Sequence, residues 1–159
     1  MTGQPLWQPD PAAAAASHLA KFTTRAEAVA GAEFADYASL HRWSVADPAA
    51  FWAAFWDYAD IVAETPFESP VRNLEQLPGA AWFPGARLNF AENLLGYRDD
   101  RTALIFYGED QIRREMSYRE LYAAVAGMQA ALCAQGIKAG DRIAGFVPNM
   151  PETIVAMLA

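Results

Sequence analysis

Residues 102–159 read TALIFYGEDQIRREMSYRELYAAVAGMQAALCAQGIKAGDRIAGFVPNMPETIVAMLA, and their patterning decides the fold. Thr102 to Tyr107 is a short run rich in β-branched and aromatic residues, the composition of a strand. Gly108, Glu109 and Asp110 supply a turn, and Gln111 to Met116 reads as the returning strand of a hairpin. Ser117 and Glu120 then make an S-x-x-E capping box, in which hydroxyl and carboxylate each satisfy a backbone donor orphaned at a helix start. The predicted helix runs to Gln135, with Gly136 past its end and Leu121, Val125, Met128 and Leu132 along one face. Asp141 precedes a second predicted strand, Arg142 to Val147, closed by Pro148. Asn149 and Glu152 form a further cap-like pair, so a helix is expected to begin near Pro151 and to carry Ile154, Val155, Met157 and Leu158.

Hairpin, helix, strand and helix in that order indicate an α/β fold, with too few strands to cover the faces and edges of a parallel sheet. The last helix shows no capping glycine, basic last turn or polar tail before Ala159. The expectation is therefore the incomplete front of a larger α/β protein. A rival reading is a small interaction module whose sheet a partner completes.

Working upstream, residues 65–98 are punctuated by Pro66, Pro70, Pro78, Gly79, Pro84 and Gly85, which break every periodic pattern. Trp82, Phe83, Leu88 and Phe90 lie in this connector and call for burial, so it is expected to be ordered. Further upstream, Asp10–Pro11 and Asp47–Pro48 each read as a helix start: the carboxylate accepts from free amides, and proline at the first position forfeits no needed donor. The first opens an alanine-rich helix toward Val29, ended by Gly31. The second opens AAFWAAFWDYADIVAE, with Phe51, Phe55 and Tyr58 in one stripe and Trp52 and Trp56 in another. The domain reading is a helical extension with its connector over 1–97, followed by an α/β domain over 98–159.

Composition narrows the function classes. The 159 residues are 53% hydrophobic, enough to fill a core, and carry a net charge of −7 with no basic run to track a phosphate backbone. No nucleic-acid partner is expected. Residues 1–10 lack the basic start and apolar core of a secretory signal. The long uncharged stretch Leu121–Ile137 is mostly alanine, suited to packing within a protein rather than to a membrane. A lone Cys133 precludes an internal disulfide framework and suits a reducing compartment, so a cytoplasmic protein is expected.

Candidate chemistry is sparse. His18 and His41 have no metal-ligand partners at useful spacing and read as cap or surface residues. Cys133, inside a capped helix with no basic neighbour, reads as a buried structural cysteine. Gly136 to Asp141 lacks the spacing of a phosphate loop and follows a helix instead of preceding one, so it reads as a helix-to-strand turn. Asp57, Asp60 and Glu64 could mimic paired catalytic carboxylates but fit the wet edge of an amphipathic helix. No catalytic, cofactor-binding or metal-ligating residue is assigned.

TALIFYGED, then MSYREL at 116–121, then GIKAGDRIAGFVPNMPETIVAMLA at 136–159, resemble in their order and separation the start of the AMP-binding domain of adenylate-forming acyl-CoA synthetases. WFPGARLNFAENLL at 82–95 and YASLHRWSVADPAAFWAAFWDY at 37–58 resemble the N-terminal extension of that family's acetyl-CoA and acetoacetyl-CoA branch, the acetoacetyl type most of all. The resemblance implies an acid–thiol ligase using ATP, Mg²⁺ and CoA on a small carboxylate, with acetyl- or propionyl-type members as the alternative. It also implies a Ser/Thr/Gly-rich phosphate loop, a ribose-binding aspartate and a lysine of a mobile C-terminal domain, all beyond Ala159. Trp82, Phe83, Leu88 and Asn93 would fasten the extension to the large domain, and Ser117 and Glu120 would fix the helix behind the first strands. The chain alone is expected to be inactive.

Overall fold

The computed structural model describes residues 7–109 and 112–159, which form two compact units divided between Leu88 and Asn89. Residues 1–6, and Asp110 and Gln111 of the expected turn and strand start, lie outside the described residues.

In the first unit Asp10 caps α1 (Pro11–Ala15), accepting from the Ala13 amide at 3.0 Å. The single helix expected toward Val29 is in fact two. Ser17 takes an extended backbone and accepts from the Ala20 amide at 3.1 Å, starting α2 (His18–Ala30) afresh. Gly31, at φ 64, ends α2 in the left-handed conformation. Asp36 and Ser39 exchange side-chain-to-backbone bonds at the start of α3 (Tyr37–Ala46). Asp47 caps α4 (Pro48–Tyr58). Phe22, Ala26, Leu40 and Ala54 are buried where α2, α3 and α4 meet. Phe51, Phe55 and Tyr58, the stripe read from spacing, all meet the Phe22 ring edge-on, with centroids 5.4–5.6 Å away.

The connector is ordered by strand pairing. β1 (Val71–Arg72) lies antiparallel to β2 (Ala81–Trp82), and Thr65 bridges Arg87. Phe67 and Phe83 close on Trp56. The expected burial of the other apolar connector residues does not hold: Trp82 is 44% exposed, and Leu88 and Phe90 are also exposed. β1 and β2 satisfy their backbone by pairing with each other, which does not require these side chains to be covered.

In the second unit Asn89 caps α5 (Phe90–Leu94). β3 (Thr102–Tyr107) and β4 (Arg113–Ser117) form the expected hairpin, in register from Tyr107 opposite Arg113 to Thr102 opposite Ser117, with an irregularity between Thr102 and Leu104. α6 (Tyr118–Ala134) packs on it, and α7 (Pro151–Leu158) packs on α6. Leu95, Leu121, Val125 and Leu158 are the buried core, joined by Leu104, Met116 and Ile154.

Two expectations fail here. Arg142–Val147 is not a strand: it makes no hydrogen bond, and Ile143, Phe146 and Val147 are exposed. A ladder requires a neighbour, and no described strand lies beside the segment. Nor does Asn149 cap α7. Met150 occupies the cap position without a side-chain bond, Glu152 is drawn to Arg114 at 2.7 Å, and the Thr153 hydroxyl donates to the Pro148 carbonyl. Among the described residues no helix is long and apolar enough to cross a membrane.

Candidate functional site

The start of α6 concentrates the polar chemistry of the second unit. Hairpin and helix meet at Ser117, and the first three helical amides find three acceptors. Tyr118 N–H donates to the Arg101 carbonyl and Arg119 N–H to the Asp99 carbonyl, both at 3.0 Å; Glu120 N–H donates to Ser117 Oγ at 3.2 Å. Reciprocally, the Ser117 amide and hydroxyl both donate to the Glu120 carboxylate at 2.8 Å. Those bonds, the backbone one foremost, hold the Glu120 carboxyl below its ordinary range. Arg101 lies on Asp99 and Arg119 on Asp100, lowering both carboxyls, while the Arg101 guanidinium also stands 4.5 Å from the Tyr97 ring centre. A helix N-terminus with its donors free attracts anions; this one is filled by its own chain. The capping box was legible from its spacing. The carbonyls of Asp99 and Arg101 were not, because any residue can offer a carbonyl.

The other candidates are dispersed. The Tyr58 hydroxyl donates to the His18 carbonyl at 3.1 Å, which spends its one proton, so His18 Nδ1, 2.8 Å away, is the donor to the Tyr58 oxygen. His18 is thus a clip between α2 and α4. His41 stacks on Tyr37 at the surface of α3. Asp57 is paired with Arg25 at 3.1 Å, Asp60 follows α4 with a left-handed backbone, and Glu64 is exposed. Cys133 is exposed, against the expectation of a buried thiol. The buried side chains of α6, Leu121 and Val125, lie in its first half, whereas Met128 and Cys133 further along are exposed. Lys138 N–H donates to the Asp141 carboxylate at 2.8 Å and Asp141 N–H to the Lys138 carbonyl at 3.0 Å, a closed turn with no cradle for phosphate.

Clefts occur in both units among the described residues. One of about 650 Å³ lies among α1, α2 and the start of α3, where Thr23, Thr24, Glu27 and Asp36 each bond to backbone. Another, about 330 Å³, separates β3 from Asn149, Met150, Pro151 and Ile154. Neither is lined by a nucleophile beside a general base. Among the described residues no cluster of three or more His, Cys, Asp or Glu could hold a metal ion. The polar groups brought together among the described residues are caps, ion pairs and clips.

Residues 37–94 match the family described as acetyl-coenzyme A synthetase N-terminus, and residues 90–159 match that described as AMP-binding enzyme. Over 98% of its length the chain is 45% identical to acetoacetyl-coenzyme A synthetase of Rhizobium meliloti (strain 1021), covering 24% of that protein. It is 37% identical to acetoacetyl-CoA synthetase of Gallus gallus over the whole chain and 24% of the relative. The solved acetoacetyl-CoA synthetase from Streptomyces lividans superposes with a TM-score of 0.81 at 39% identity, over 98% of this chain and 25% of that one. The chain thus spans about a quarter of the length of the relatives it matches. Along its whole length the chain is thus similar to the N-terminal quarter of acetoacetyl-CoA synthetases, and its second part matches the AMP-binding enzyme family.

Proposed function

We propose that this chain is the front of an acetoacetyl-CoA synthetase, with residues 1–97 as its extension and 98–159 as the opening of its AMP-binding domain. The observation that carries the proposal is similarity along the whole chain to several proteins named acetoacetyl-CoA synthetase. The larger enzyme activates acetoacetate in two steps. A carboxylate oxygen attacks the α-phosphorus of ATP, breaking its bond to pyrophosphate; the thiol of CoA then attacks the acyl carbon, losing its proton as AMP departs. A bare carboxylate resists attack by a thiol, and the mixed anhydride supplies the missing leaving group. Mg²⁺ would offset phosphate charge in the first step. The described residues offer it no cluster of three or more His, Cys, Asp or Glu.

What this chain contributes is support: the filled α6 terminus fixes the hairpin, and the ring-packed residues up to Leu88 form a compact unit. The scarcity of basic runs and the lack, among the described residues, of a membrane-length apolar helix support action on small molecules in the cytoplasm. An acetyl- or propionyl-type ligase is the second reading, favoured by the match of residues 37–94 to an acetyl-coenzyme A synthetase family. Steady-state AMP release by the longer enzyme with acetoacetate, acetate and propionate decides between them. The proposal expects the highest kcat/KM for acetoacetate; a preference for acetate would replace it with the second reading.

A further inference from the structure

Phe83 stands at φ 47, in the left-handed region. Glycine enters that region freely, whereas a bulky side chain there is an outlier that its surroundings must hold. Its ring centroid lies 4.6 Å from that of Trp56 on α4 and 5.2 Å from that of Phe67. Its amide donates to the Pro70 carbonyl at 2.9 Å, and its own carbonyl accepts from Ala86 at 3.1 Å. Gly85, at φ 85, then brings the chain so close to Glu68 that a Cβ would fall 2.8 Å from that side chain. Beside these contacts, Ser69 Oγ is buried without a hydrogen-bond partner. A left-handed aromatic residue and an orphaned hydroxyl are both unfavourable, and they occupy the two segments that the Phe83-to-Pro70 bond joins.

We infer that Phe83 is a ring-held latch: its seat between Trp56 and Phe67 keeps the 82–87 turn in a backbone conformation that the residue itself disfavours. The turn accordingly has a relaxed state that this seat holds off. Trp82 rides on the latch, half-exposed and edge-on to Trp52 with centroids 5.8 Å apart. Releasing Phe83 moves an indole at the surface of the lobe.

Phe83→Gly and Phe83→Ala delete the same ring contacts and differ in how readily they take a left-handed backbone. Amide hydrogen exchange on the whole chain separates them, with α4 amides as the folding control. The latch predicts exchange at the Glu68 and Ala86 amides roughly tenfold faster in Phe83→Ala than in Phe83→Gly, with loss of the Trp52–Trp82 near-ultraviolet signature only in the alanine variant. Equal exchange in the two variants overturns it. Should both lose α4 protection, Phe67→Leu decides, since it retains the Phe83 ring and loosens its seat. Faster exchange at Phe83 and Ala86 with α4 unchanged supports the latch, and unchanged exchange at both overturns it.

Discussion

The two units reach order by different means. In the first, rings meet rings: Phe22 is surrounded by Phe51, Phe55 and Tyr58, and the lobe beyond α4 closes through Trp56, Phe67 and Phe83. In the second, an aliphatic core of Leu95, Leu121, Val125 and Leu158 sits under a hairpin and a helix terminus stitched by hydrogen bonds. In edge-to-face aromatic packing each ring keeps several partners. In a capping box each donor has one. The first unit should therefore respond to lost ring volume, and the second both to lost aliphatic volume and, less strongly, to a lost hydrogen-bond partner.

The largest effect is expected for Phe22→Ala. Phe22 is 6% exposed and touches three rings, so its removal should cost about 3–5 kcal/mol, read as a shift of the denaturation midpoint together with loss of near-ultraviolet dichroism. Leu121→Ala should cost about 2–4 kcal/mol, with amide exchange accelerating in α6 and β3 while the aromatic dichroism of the first unit is kept. Equal loss of the aromatic signal in both variants would break the comparison. Ser117→Ala removes a cap and should cost about 1 kcal/mol.

That variant also sharpens the pH behaviour. The Glu120 carboxyl is depressed in the folded state, first by the Ser117 amide and then by its hydroxyl. Its stabilisation is therefore present above the ordinary carboxylate range near pH 4 and is lost as pH falls through the lower folded value. In Ser117→Ala the hydroxyl is gone, so carbon-13 NMR of Glu120 should show its titration moving upward, toward the ordinary value. The smallest effect belongs to Arg25→Ala: its pair with Asp57 is exposed on both sides, and thermal denaturation should record under about 1 kcal/mol.

What was legible in the sequence was what is local. Asp10–Pro11, Asp47–Pro48, Gly31 and the Ser117–Glu120 box act within one turn, and each does what its spacing announced. The Phe51, Phe55 and Tyr58 stripe was equally legible, since helical spacing alone puts the three on one face. Ser17 was missed because a single cap inside a run of alanines looks like a tolerated polar residue, and the Asp36–Ser39 box because serine stood in the usual place of Glu or Gln. Exposure was the harder quantity. Trp82, Phe90 and Cys133 have compositions that suggest burial, yet burial depends on what chain lies opposite, which no local pattern encodes. The same holds for Arg142–Val147, whose β-forming residues are evident and whose ladder partner is not among the described strands. For the candidate site, the sequence excluded the phosphate loop and dispersed the carboxylates and histidines as the structure does, while the carbonyl caps at Asp99 and Arg101 emerged only from the fold.

We propose that this chain supplies scaffold to an acid–thiol ligase whose chemistry is carried elsewhere in the larger enzyme. Pyrophosphate release by the 159-residue chain, incubated with ATP, Mg²⁺, acetoacetate and CoA, tests it most directly. The account predicts no release above the protein-free blank; release that depends on both acetoacetate and the chain would contradict it.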